Sequence, residues 1–272
     1  PPHLGLDALA VVCEGAPQLF RRDLTAYGYS GAERVPLGAR TPVGRVYTVA
    51  ARLLGLTRVP LFHAKAPRRP SWIVALISPQ AVLLTGEVHE DTPELRYEIG
   101  AALASAMPAH ALIAALPRER AQTVLAATLT AYGPPSAAAR YPAVAAIAET
   151  LWQLLPARAE RYMRELCARV GPEAFDYDQV AEQQKLRVRR AGFFVSGDLE
   201  LAIHRYFAEE RIAAPVSLGA PGALAALCAA HPTVADLVRL AISPDYARAR
   251  WHVPSGPAQV AGVSGPSAPS GT

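Results

Sequence analysis

The sequence predicts an α+β fold that is predominantly α-helical, with a small antiparallel sheet at about residues 58–85. Three observations support this prediction. Short apolar runs separated by Pro, Gly and basic residues fill 58–85, which is typical of strands. A following stretch, 93–107, places Leu95, Ile99 and Leu103 at helical spacing. The rest of the chain has helical periodicity interrupted by Pro and Gly, which predicts a helical bundle.

Length and composition limit the class of protein. The chain has 272 residues, enough for one large domain with a sizeable core. A net charge of +4 over this length does not indicate nucleic-acid binding. No run of about 18 residues is apolar and free of charges and Pro, so no membrane span is predicted. The cysteines Cys13, Cys167 and Cys228 are scattered, which predicts reduced, buried thiols in a cytoplasmic protein, with one disulfide as the alternative.

The first elements can be placed in chain order. Residues 1–40 are expected to be a lead-in segment that packs on the main domain. Thr41-Pro42 is a helix start, and Gly55 ends that helix. Three strands are then predicted at 58–63, 72–77 and 81–85, and Ser78-Pro79-Gln80 forms the turn between the last two.

The predicted central helix at about 93–107 has a capped start and a middle of small residues. Asp91 or Thr92 can cap its first turn, and Pro93 suits the first helical position. Between Gly100 and Ala106 nearly every side chain is tiny, so other groups can approach the backbone closely. We therefore expect this helix to be packed on all sides.

The helices of the bundle are bounded by Pro and Gly. They are predicted at 109–116, 118–131, 140–155, 157–170, 173–196, 198–209, 222–230 and 232–242. A single domain at 41–250 would contain them. The last segment, 251–272, is rich in Pro, Ser and Gly without periodicity, and a disordered tail is predicted there.

The central helix resembles a metallopeptidase motif. Its sequence E-L-R-Y-E-I-G-A-A-L-A-S resembles the E-L-x-x-x-x-G-H-E-L-x-H helix of zinc metallopeptidases of the CAAX-prenyl-protease-like (gluzincin) family. In that family a helix and a few strands also precede the zinc-binding helix. On this pattern Ala101 and Ser105 stand where the family has its zinc-binding histidines, and Ala102 stands where it has the catalytic glutamate. The resemblance also implies that 81–85 is the strand beside the substrate.

A second stretch is similar to the other signature of the same family. The sequence K-L-R-V-R-R-A-G-F-F-V-S-G-D from Lys185 resembles a helix with E-x-x-x-D-R-x-G, followed by a turn and another helix. Lys185 then takes the place of the third zinc ligand, and Arg189 the place of an aspartate that orients a histidine. Because a cation repels zinc, the resemblance implies a zincin-like fold without metal, cofactor or hydrolysis.

Two other groups of polar residues could have a function. His89-Glu90-Asp91, with His63 or His110, could form a metal site, although polar side chains are also expected in a strand-to-helix loop. A basic cluster could hold an anion or an acidic partner, but interleaved acidic residues favour a salt-bridged helical face. The basic cluster consists of Lys185, Arg187, Arg189 and Arg190.

Together these features predict a non-catalytic pseudo-metallopeptidase domain in the bacterial cytoplasm. It would bind a protein partner, or act as a scaffold, through its cleft, its sheet edge or its helical face. One alternative is a non-zinc enzyme, or an anion- or peptide-binding site, that reuses the cleft. The other is an unrelated all-helical interaction domain. Similar degenerate domains occur at the ends of bacterial helical-repeat proteins, and the Pro-Pro-His start would suit a fragment of such a protein.

Overall fold

A computed structural model describes residues 4–29, 31–65, 69–134, 137–169, 171–213 and 218–251. Twelve α-helices and a four-stranded sheet lie within these ranges, so the predicted α+β, predominantly helical fold is confirmed. The elements in chain order are α1 (Leu4–Gly15), β1 (Glu33–Val35), α2 (Pro42–Leu53), β2 (Leu61–Ala64), β3 (Ser71–Ala75), β4 (Ala81–Thr85), α3 (Pro93–Ser105), α4 (Pro108–Ala115), α5 (Arg118–Tyr132), α6 (Pro142–Leu154), α7 (Ala157–Ala168), α8 (Tyr177–Ser196), α9 (Leu199–Glu209), α10 (Ala223–Ala230), α11 (Pro232–Ala241) and α12 (Pro244–Trp251).

The sheet is mixed, which corrects the prediction that it is antiparallel. Its strand order is β1-β2-β4-β3, and β2 pairs parallel with β4 while the other pairs are antiparallel. The chain reverses direction between β2 and β3 and again at the turn before β4. Two reversals return β4 to the direction of β2, and β4 inserts between β2 and β3. The presence of the sheet excludes the all-helical alternative.

The strand β4 is central, so it does not run beside an open cleft. Its five residues are all buried, and strands pair with it on both sides. Among the described strands, β3 and β1 lie at the two edges of the sheet. The assignment of 81–85 as the strand beside a substrate is therefore wrong, and β3 is the edge strand next to α3.

The first 40 residues contribute more structure than the sequence predicted. The helix α1 packs against α4, α5 and α7, and its side chains Leu6, Leu9 and Val12 are at most 1% exposed. They belong to the same core cluster as the sheet and α3. The sequence did not show this helix because residues on several of its faces are apolar, which hides the helical period.

The central helix α3 is packed on several sides, as predicted. It contacts α8 most extensively, and it also contacts α2, α4, α9, β3 and β4. The hydroxyl of Thr92 caps its first turn by accepting a hydrogen bond from the Leu95 amide at 3.2 Å. A Cβ at Gly100 would lie 2.8 Å from the Val195 side chain and 2.9 Å from the Ala191 carbonyl oxygen. The small residues of α3 therefore allow α8 to approach its backbone.

The structure also locates the predicted bundle helices, the tail and the cysteines. The eight predicted bundle helices correspond to α4–α11, whereas α12 was not predicted. The predicted disordered tail, apart from its first residue, lies outside the described residues. Cys13 and Cys167 are buried free thiols, and Cys228 is half-buried. No single described helix is long and apolar enough to cross a membrane; α3 and α4 reach that length only together, with a 102° bend between them.

Because α3 and α8 are in close contact at Gly100, even an Ala side chain at this position should lower the stability of the fold. We expect Gly100→Ala to lower the free energy of unfolding by about 1–3 kcal/mol, because the new methyl group would overlap Val195 and the Ala191 carbonyl. This cost exceeds the gain of about 1 kcal/mol that Ala brings to a helix. Urea unfolding of the purified chain measures the change.

Gly31 provides the matched control for this substitution. A Cβ at Gly31 has open space around it, so Gly31→Ala should leave the stability unchanged within about 0.5 kcal/mol. Equal effects of the two substitutions would contradict the close packing of α3 on α8.

Candidate functional site: the groove beside the edge strand

The two stretches that resemble peptidase signatures lie on helices that pack together. The first is α3 and the second begins on α8, and these two helices make the most extensive contact in the described structure. A Cβ at Gly192 would lie 2.8 Å from the ring of Tyr97, so a small residue is needed on α8 as well as on α3. The structure therefore brings the two stretches together, which the resemblance implied.

The degenerate-site positions of α3 face two different environments. Ala102 and Ser105 line a groove of about 320 Å³ between α3, α4 and the edge strand β3. Ala101 packs instead against a separate cluster that contains Tyr97 and Phe193. The groove lining in the described structure contains aromatic, aliphatic and Ser side chains and no His, Asp, Glu, Lys or Arg. The groove is thus uncharged and narrow.

Lys185 and Arg189 pair with acidic residues outside this groove. Arg189 is only 2% exposed, and its guanidinium donates to Glu209 at 2.8 Å and to Glu210 at 2.5 Å. It also lies over the ring of Tyr206 at 5.0 Å. Lys185 lies 2.7 Å from Glu182 and 3.6 Å from Glu210. Neither cation lines the groove, so the structure does not unite them with Ala102 and Ser105 in one cleft.

The rest of the basic cluster follows the same pattern. Arg190 donates two hydrogen bonds to the carboxylate of Asp236 on α11. These hydrogen bonds raise the pKa of Arg190. Arg187 has no carboxylate within ion-pair distance in the described ranges, and its charge helps lower the pKa of His110. Three of the four cations therefore form a salt-bridged helical face, which was the favoured interpretation of this cluster.

The edge strand β3 presents two residues with outward-pointing backbone groups. The Val82 amide donates to the Pro60 carbonyl and the Gly86 amide to the Ala64 carbonyl, so alternate residues of β4 from Val82 point towards β2. The residues between them point towards β3, and they pair with Ser71, Ile73 and Ala75.

By the same alternation, Trp72 and Val74 point their backbone N–H and C=O groups away from the sheet. The next residue in this series, Leu76, is covered by the chain itself. Its amide donates to the Tyr27 hydroxyl at 2.7 Å, and its carbonyl accepts from the Arg22 amide at 2.8 Å. The open part of the edge is therefore short, and it lies over the groove that Ala102 and Ser105 line.

A larger, acidic cleft adjoins the groove at Trp72, whose side chain lines both. This cleft has a volume of about 640 Å³, and it lies between the start of β3, the loop after β4 and the first turns of α3. In the described part of its lining there are four glutamates, two arginines and His89. Arg205 from α9 pairs with Glu98 at 2.7 Å. Desolvation raises the pKa of Glu98, while Arg205 opposes this shift.

The histidines do not converge on one site. His89 lies 3.3 Å from Glu87, the ring of His63 lies 2.8 Å from the Gly86 carbonyl oxygen, and His110 is buried against the Ala104 carbonyl oxygen at 2.8 Å. No group of three or more His, Cys, Asp and Glu side chains in the described part of the chain is arranged to hold a metal ion. The proposed His89-Glu90-Asp91 metal turn therefore has no support in this geometry.

No protein-family model, curated protein or solved structure matches this chain.

The structure adds two features to the site that the sequence did not predict, the outward-facing pair on β3 and the acidic cleft. Period-two alternation predicts strands but not which of them lies at an edge. The cleft is assembled from a loop, α3 and the distant α9, so its glutamates share no local motif.

The buried cation at Arg189 predicts a large effect on stability. We expect Arg189→Met to lower the free energy of unfolding by about 3 kcal/mol, because Glu209 and Glu210 would lose the guanidinium that holds α9 against α8. In Lys185→Met, a half-exposed pair is lost and the cost should stay below about 1 kcal/mol. Denaturant titration of both variants checks the difference, and equal costs would contradict the burial of Arg189.

The buried His110 predicts a pH dependence. Desolvation lowers its pKa, the hydrogen bond to Ala104 opposes the shift, and Arg187 adds to it. As the pH falls through about 6.5, His110 therefore becomes protonated in the unfolded chain, whereas in the folded chain it becomes protonated only at a lower pH. Stability from this group is fully present above that pH and falls as the pH drops through about 6.5 towards the lower, folded pKa.

Chemical denaturation at a series of pH values from about 5 to 8 measures this effect. The variant His110→Asn keeps a donor for the Ala104 carbonyl and does not titrate, so its stability should change less over the same range. An identical slope in both proteins would show that His110 is not the titrating group.

Proposed function

We propose that this chain is a non-catalytic protein-binding module that holds an extended segment of a partner along β3. The observation that carries the proposal is the outward-facing backbone of Trp72 and Val74, which lies over a groove lined by Ala102 and Ser105. An exposed sheet edge can pair with an added strand, and pockets beside it can take alternate side chains of that strand.

The small residues of α3 support this use of the groove. Methyl and hydroxyl groups at Ala102 and Ser105 leave a narrow space of about 320 Å³, which suits apolar side chains of a bound segment. Residues of the edge strand itself, Trp72, Ile73 and Val74, also line the groove. A segment that pairs with β3 would therefore place every second side chain in the groove.

The chemistry of the groove favours binding without hydrolysis. In the resembled metallopeptidases the corresponding positions carry zinc ligands and a catalytic glutamate, whereas here Ala102 and Ser105 line the groove and Ala101 packs outside it. A Ser nucleophile needs a general base within hydrogen-bond reach, and the described groove lining contains no His, Asp, Glu or Lys. Lys185 and Arg189 are engaged by Glu209 and Glu210, which makes a reused anion site less favourable. A pseudo-metallopeptidase in the bacterial cytoplasm remains the wider proposal.

A groove-filling substitution tests this proposal. The full chain and the variant Ser105→Phe should be compared for binding to an array of immobilised nonapeptides of varied sequence. We expect the phenyl ring to occupy the groove and weaken binding by about tenfold or more, since a lost apolar pocket contact is worth roughly 1–3 kcal/mol. The matched control, Ala146→Phe on the exposed face of α6, should bind as the unsubstituted chain does.

Metal analysis tests the non-catalytic part of the proposal separately. Protein purified without chelators should contain far less than one zinc per chain, and added zinc should not produce cleavage of the array peptides. Stoichiometric zinc together with peptide cleavage would contradict the proposal. Absence of any bound peptide would contradict the binding role.

A further inference from the structure

The acidic cleft adjoins the groove at the start of β3, where Trp72 lines both. The same residue is the first of the two whose backbone groups face outward from the sheet edge. A segment paired with β3 and extended past Trp72 must therefore pass the mouth of the cleft. At about 3.3 Å per residue, one or two further residues of such a segment reach it.

The charges in the cleft are unbalanced. Among the described residues, four glutamates and two arginines line it, so the formal charge of this described lining is −2 when His89 is neutral. Of these, Glu98 has its own partner in Arg205. In the described ranges, Glu87, Glu90 and Glu94 have no Lys or Arg within ion-pair distance. Carboxylates gathered in one concave space raise the local attraction for a cation.

The apolar parts of the cleft match the rest of a basic side chain. Trp72 is half-buried, and the cleft also contains Val88 and the buried Leu95. A Lys or Arg stem packs on such surfaces while its charged end stays near carboxylates. An indole ring is the best aromatic partner for a cation. Acidic or purely apolar side chains would leave the glutamates uncompensated.

We infer that the partner segment carries a Lys or Arg side chain that enters this cleft from its place beside Trp72. This inference rests on the proposed binding of an extended segment along β3. The basic side chain would lie between the indole and the glutamates Glu90 and Glu94. The apolar residues of the same segment would fill the groove at Ala102 and Ser105.

A set of synthetic peptides tests this inference. The probes are fluorescein-labelled nonapeptides of alternating Thr and Val in which a single position at a time is Lys, Gln or Glu. Fluorescence anisotropy with the full chain gives the affinity of each. We expect one position at which Lys binds roughly tenfold more tightly than Gln, and at which Glu binds more weakly than Gln. Added salt should reduce the difference between Lys and Gln.

A variant of the cleft tests whether its glutamates cause the preference for the Lys peptide. In Glu90→Gln/Glu94→Gln the advantage of Lys over Gln should disappear, because the affinity for the Lys peptide falls to that of the Gln peptide. The control Glu149→Gln/Glu165→Gln removes two exposed carboxylates from α6 and α7 and should keep the full preference.

The outcomes separate this inference from the proposed function. Peptides that bind with no preference for Lys at any position would overturn the basic partner and leave the binding role standing. Failure of every peptide to bind would overturn the proposed function and this inference with it. A dimer that forms through β3, and that the peptides cannot dissociate, would assign the edge to a second copy of the chain and overturn the basic partner.

Discussion

The close packing of α3 on α8 is the constraint on which the rest of this structure depends. It requires a glycine at position 100, because a methyl group on Gly100 would overlap both Val195 and the Ala191 carbonyl oxygen. It also requires Gly192, whose missing side chain makes room for the ring of Tyr97. With one side of α3 fixed on α8, the side that carries Ala102 and Ser105 faces the edge strand β3. The groove exists because of this arrangement.

The same packing keeps the charged side chains of α8 out of the groove. The positions on α8 that the resemblance aligned with a zinc ligand and its orienting aspartate are Lys185 and Arg189, and both pair with the acidic end of α9. The buried guanidinium of Arg189 fixes the position of α9 against α8, although replacing a whole buried ion pair by apolar side chains is often neutral for stability. The described lining of the groove beside β3 contains no His, Asp, Glu, Lys or Arg, whereas the adjoining cleft at Trp72 contains glutamates and arginines. A bound segment would thus meet an apolar region and an acidic region in succession.

Much of the fold could be predicted from the sequence because its helices are bounded by Pro and Gly. The bounds of α4 and α5 agree with prediction within a residue, and Thr92 caps α3 as expected. The order of the strands could not be predicted, since period-two patterns do not show which strand inserts between two others. The helix α1 was missed because apolar side chains occupy several of its faces.

The candidate site was predicted only in part. Sequence resemblance identified α3 and α8 as neighbours and pointed to Ala102 and Ser105, which do line the groove. It placed Lys185 and Arg189 in the same cleft, but the direction of a side chain on a helix depends on which neighbour it meets. Their partners on α9 lie in a turn and helix end whose position the sequence does not give. The role of Trp72 depends on β3 being an edge, which only the tertiary structure shows.

Hydrogen exchange at three consecutive residues of β3 tests the central claim most directly. Exchange rates of the amides of Trp72, Ile73 and Val74 should be measured in the full chain with and without the tightest-binding nonapeptide. Binding along the edge should slow exchange at Trp72 and Val74 and leave Ile73, whose amide already faces β4, unchanged. A bound peptide that slows none of these amides, or that changes all three equally, would contradict an added strand on β3.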